Sequence, residues 1–140
     1  TWHKMRSAMY KEGLIMGAPI AICGLALVGV SVVFFALFNK ARIGALPLNH
    51  VTGLRTKTIM SSEDVWIAVH RKYAWVFMVP GIGFLLTGLS FILSTIISVL
   101  SSVVMPVFYV VFGIMLIVLV AASVSADKHA RSIQPQEGTR

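Results

Sequence analysis

The sequence predicts an all-α integral membrane protein with three transmembrane helices, an interfacial helix before the second span, and a hairpin joining the second span to the third. Three observations predict it. The 140 residues are 57% hydrophobic and only 12% charged, about half the charged fraction of a soluble domain. Two uncharged stretches, residues 14–38 and 73–126, are long enough to cross a bilayer once and twice. Only helices satisfy their own backbone groups in lipid, so an open sheet is excluded despite the abundance of Val and Ile. The chain reads as one membrane domain over residues 1–140. The formal charge of +7 sits in residues flanking the apolar spans, which suits anionic lipid headgroups and not nucleic acid.

The first span is expected at about 13–38. Its 25 uncharged residues would cover about 38 Å as a helix, enough for a hydrocarbon core of roughly 30 Å. Asn39, Lys40 and Arg42 close it. Ahead of it Trp2, Met5 and Met9 fall on one helical face among cations. They read either as an interfacial amphipathic helix or as an ordinary aromatic and basic flank. The second stretch breaks where serines gather at 94–102, giving spans at about 73–97 and 99–124 and a tail at 125–140 that frays.

Inside lipid, helices approach through small residues. Gly13, Gly17, Ala21 and Gly24 form such a seam on the first span, and Ala74, Gly81 and Gly88 on the second. Pro80 and Pro106 are expected to kink their helices. No Asp, Glu, Lys, Arg or His lies within a span, which argues against an ion path through this chain alone. The solitary Cys23 forms no internal disulfide and reads as a small span residue.

Between the spans lies a polar loop, 39–72. Gly44, Pro47, Asn49 and Gly53 make residues 41–58 irregular but compact. Ser61 with Asp64 three residues on predicts a capping box and a short helix from Ser62, with Val65, Ala68, Val69 and Lys72 on one face and Trp66 beside it. Trp66 and Trp75 are expected at headgroup level. The guanidinium of Arg55 suits a carboxylate or phosphate. With Asn49, Thr56 and the backbone at Gly53 it could complete an anion-binding turn, or Asn49 and Arg55 could simply tie the loop together through Glu63 or a carbonyl. His70 is a candidate pH-sensitive group, but no second metal ligand stands at a fixed short spacing. No catalytic fingerprint or cofactor motif is present, so the protein reads as non-enzymatic, without cofactor or metal.

Lys and Arg set the orientation. Lys4, Arg6 and Lys11 lie on one side. Lys40, Arg42, Arg55, Lys57, Arg71, Lys72, Lys128, Arg131 and Arg140 lie on the other. The excess places the loop and the C-terminus in the cytoplasm and the N-terminus outside.

In order, Gly44, Pro47, Asn49, Gly53, Arg55, Thr56, Ser61, Glu63, Trp66, His70 and Arg71 form a pattern that resembles the SdpI family of small bacterial membrane proteins. Leu48 departs from the basic residue common there, and Lys57-Thr58-Ile59-Met60 follows the family only loosely. The resemblance implies a multi-pass protein of the bacterial inner membrane. It also implies a binding, regulatory or immunity-like role in which the loop presents Asn49, Gly53, Arg55, Thr56, Glu63, Trp66, His70 and Arg71 to a partner or an anion. The family's namesake, which is longer, protects against a secreted peptide toxin and relays its presence to a repressor. The alternative is an accessory subunit packed, through its glycine seams, on a larger complex such as a respiratory or envelope-synthesis assembly.

Overall fold

A computed structural model describes residues 1–134, whose regular elements are all helices, with no strand among the described residues. Helix α1 runs over Trp2–Arg42, α2 over Glu63–Lys72, α3 over Trp75–Ser94 and α4 over Ser101–Ile133. Short 3-10 turns at Ile59–Ser61 and Ser98–Leu100 lead into α2 and α4. Helices α1, α3 and α4 are each long and apolar enough to cross a membrane. The expected interfacial helix is α2, separated from α3 by Tyr73 and Ala74 alone. The hairpin turn falls at 95–100, within the serine-rich break.

Three boundaries differ from expectation. Residues 2–12 are the start of α1, not a separate interfacial helix, because nothing in the flank interrupts the helical backbone. The break before α4 falls where expected, but α4 continues nine residues beyond position 124. These first residues of the expected tail do not fray, because Ala122, Ala126 and Ala130 are buried at steps of four and let α2 and the Ile59–Ser61 turn pack against the helix. Farther along, Gln134 donates to the Ser61 hydroxyl at 2.8 Å. The rest of the tail, with Arg140, lies outside the described residues.

The helix α2 starts one residue later than a Ser61 cap would give. Ser62 is extended, and its hydroxyl accepts from the Val65 amide at 3.2 Å. Val65 occupies the third helical position, so there is no reciprocal acid and no capping box. Ser61 instead donates to the Thr58 carbonyl at 2.7 Å. The buried stripe of α2 is Val65, Trp66, Val69 and His70, with Ala68 and Lys72 exposed. The helix is rotated so that its two largest rings face inward.

Helix α3 lies between α1 and α4 and packs most extensively against α1. The crossing is set by two glycines. A Cβ on Gly24 would stand 2.7 Å from the Gly88 carbonyl oxygen, and a Cβ on Gly88 equally close to that of Gly24. Only hydrogen at both positions permits this approach. Gly17 is at ordinary contact with Thr95, Ala21 is half-buried, and Gly81 faces Phe34 and Phe35. Gly13 lies beyond the contact, with open space where a side chain would project. Gly83, absent from the expected seams, is the close-approach position toward α4, where a Cβ would meet the Met115 sulfur at 2.6 Å.

The geometry at Gly17 gives a direct test. Its ideal Cβ lies 3.9 Å from the Thr95 Cβ, within the range of a disulfide. In a Cys23→Ser background, Gly17→Cys with Thr95→Cys should oxidise to an intramolecular crosslink, read as a gel shift reversed by reductant. Adding Gly88→Leu should abolish the crosslink, whereas Gly81→Leu, which meets movable aromatic rings, should only weaken it.

Candidate functional site

The site is built at the loop end of the bundle, where the chain must satisfy its own polar groups beside lipid. Helix α1 closes with Gly44 at a φ of +75°. The Ala45 amide donates back to the Lys40 carbonyl at 2.8 Å and the Gly44 amide to that of Ala41 at 3.1 Å. This pair of hydrogen bonds turns the chain sharply out of the helix. Arg71, from α2, donates to the Ile43 carbonyl at 3.2 Å and so holds α2 against the end of α1.

The loop then folds around Asn49. Its side-chain oxygen accepts from the Val51 and Thr52 amides at 3.0 and 2.7 Å and from the Thr52 hydroxyl, while its amide nitrogen donates to the Pro47 carbonyl at 2.8 Å. Thr56 acts similarly a few residues later, its hydroxyl accepting from the Ile59 amide at 3.2 Å. Arg55 donates to the His50 carbonyl while its side chain stays exposed.

Beneath this loop sit Trp66 and His70, both essentially inaccessible. Trp66 is the largest fully buried side chain, and its indole N–H donates to the Leu46 carbonyl at 3.0 Å. An indole that finds a partner for its one donor can be buried whole. Trp75 keeps the partly exposed position expected of an interfacial ring.

His70 joins α2 to the loop. The Leu54 amide donates to Nε2 at 2.9 Å, so that nitrogen must carry a lone pair. Nδ1 therefore bears the hydrogen and donates to the Trp66 carbonyl at 2.9 Å. The ring is neutral in a single tautomer, with both nitrogens committed to backbone and neither open to a metal. Burial pushes its pKa below the ordinary value, against a smaller upward pull from the Trp66 carbonyl. The two rings stack with centroids 3.9 Å apart. Gly53 completes the contact. It has a φ of +103°, and a Cβ there would stand 2.4 Å from Nε2.

The eight residues singled out in the sequence thus have different places. Asn49, Gly53, Trp66, His70 and Arg71 are joined in the framework of the cap, and Thr56 supports the 3-10 turn. Arg55 and Glu63 lie on the surface, Glu63 in the first turn of α2 where an acid complements the helix dipole. Asp127 lies outside the expected set. The Thr56 hydroxyl, and then Arg131 at 2.8 Å, hold its carboxyl below the usual carboxylate range. No sequence spacing links residues 56 and 127. Only the continuation of α4 brings them together.

Protonation of His70 would set an N–H against the Leu54 amide. The folded state has the lower pKa, so its stability is full above about pH 6.5 and falls as the pH drops below that value, by up to about 1.4 kcal/mol per unit. Unfolding in micelles should show this acid slope. His70→Gln, although less stable, should flatten it.

The family comparison matches the pattern of the SdpI/YfhL protein family to residues 45–125, more than half of the chain. No curated protein and no solved structure matches the chain. The matched region takes in the loop, α2, α3 and most of α4, which are the elements that build the Trp66–His70 cap. On that match the chain belongs to the SdpI/YfhL protein family.

Proposed function

We propose that this small multi-pass membrane protein of SdpI type is a non-enzymatic binding module, regulatory or immunity-like, whose loop forms a rigid cap at the cytoplasmic face of a bacterial inner membrane. The observation that carries this reading is a division of labour within the loop. Asn49, Gly53, Trp66 and His70 are turned into hydrogen bonds and packing, whereas Arg55, Lys57, Glu63 and Asp64 are left exposed on the outer surface. Arg55 has five N–H donors, and the single bond to His50 leaves others for a carboxylate or phosphate on the partner. Anionic lipids contact the surrounding collar of Lys40, Arg42 and Lys72.

A second reading, an accessory subunit on a larger complex, is favoured by the helix surfaces. Gly29 and Gly113 face open space on α1 and α4, and small residues on outward faces suit another helix. Recovery of a large partner in equal amount after mild-detergent purification supports the subunit. Toxin sensitivity on deletion, with no such partner, supports the binding module.

Two outcomes follow from the cap. Arg55→Ala should leave membrane insertion and the 17–95 crosslink intact while weakening partner capture about tenfold, the loss expected for one charged hydrogen bond. Disappearance of the variant from the membrane would instead make Arg55 a structural tie. A Ser61→Cys variant in the Cys23→Ser background should react with an impermeant thiol reagent only in inverted vesicles. Labelling from outside intact cells would reverse the orientation.

A further inference from the structure

Helices α1 and α4 each pack against α3, which stands between them. Between them, in the half of the bundle nearest the loop, is a cavity of about 250 Å³. Phe34, Phe84, Met115 and Leu119 are among its walls, Gly53 and Leu54 belong to its loop-side border, and every side chain lining it is apolar. A space walled almost wholly by apolar side chains is a poor host for ordered water. Its natural contents in a bilayer are hydrocarbon.

The cavity has a polar neighbour. Along α4, Leu119 is followed at steps of four by Ser123, Asp127 and Arg131, which share one helical face. Along the loop, Leu54 is followed two residues later by Thr56. Ser123, Asp127 and Arg131, with Thr56 and Lys128, line a second pocket. Two separate segments of chain therefore run from the first space to the second. The second pocket holds one carboxylate, already paired with Arg131, and two cations, so it carries a net positive charge.

We propose that these two pockets form one site for a single anionic phospholipid of the loop-side leaflet. An acyl chain occupies the apolar cavity under Gly53 and Leu54, and the phosphate lies against Lys128 and Arg131, with the Thr56 and Ser123 hydroxyls beside it. The apolar volume and the positive pocket, which begins one helical turn farther along α4, match the two ends of such a molecule. This site is separate from the exposed surface that carries Arg55, and it stands whether or not that surface binds a protein.

The test uses the full chain in nanodiscs of equal parts phosphatidylglycerol and phosphatidylcholine, released into mild detergent and weighed by native mass spectrometry. The expected result is one retained lipid per chain, phosphatidylglycerol over phosphatidylcholine by about fivefold, in line with the attraction of one surface cation. Lys128→Gln, on an exposed helix face, should bring the two lipids toward parity. Val79→Phe, which fills the cavity, should reduce retention of both while the 17–95 crosslink still forms. Equal retention of the two lipids by the unmodified chain overturns the proposal, as does an unchanged preference in Lys128→Gln. Full retention in a folded Val79→Phe protein overturns it too. Should Val79→Phe fail to fold, Lys128→Gln decides alone.

Discussion

The imidazole of His70 is the joint on which this molecule depends. One nitrogen receives the Leu54 amide and the other donates to the Trp66 carbonyl, so a single ring ties the loop to α2. An amide left without a partner in such a buried place costs on the order of 1–3 kcal/mol, and the loop has few other long-range bonds. Gly53 must be glycine because of this ring, since its backbone comes within hydrogen-bonding reach where any side chain would collide. The loop border of the apolar cavity and the exposed placement of Arg55 both follow from where His70 fixes the chain.

This arrangement reverses the usual relation between hydropathy and burial. The most apolar segments, in α1 and α4, are the least enclosed, because lipid is their solvent and they gain little by leaving it. The best-buried cluster, with Trp66, Ile59, Val69 and Leu54, lies instead in the least apolar region of the chain. There the chain can bury surface away from water, and a large side chain contributes about 1.5–3 kcal/mol by doing so. The spans are positioned by shape, at Gly24 against Gly88 and at Gly83 against Met115. The cap is positioned by hydrogen bonds and burial.

Much of the site was readable in order along the chain but not in role. Asn49, Gly53, Trp66, His70 and Arg71 stood out together because their order matches the SdpI pattern. What each one does depended on which way α2 rolled. The stripe of Val65, Ala68, Val69 and Lys72 is as regular in spacing as the buried one of Val65, Trp66, Val69 and His70, and burying it instead turns both rings partly outward. Ser61 with Asp64 matched the capping pattern, yet the cap is Ser62, one residue on. Asp127 and the Ala122, Ala126, Ala130 stripe were invisible as partners of the loop, since about 70 residues separate them from Thr56 and Ile59.

By itself the sequence determined the solvent, the number of crossings and the place of the hairpin turn. These depend on the length and charge of continuous segments, which are local properties and add up along the chain. The tertiary structure alone decided that Trp66 is packed in the core of the cap, that α4 runs on to meet the loop, and that His70 is neutral in one tautomer. Those features depend on groups distant in sequence meeting at hydrogen-bond range, and such meetings are set by how the helices cross and roll.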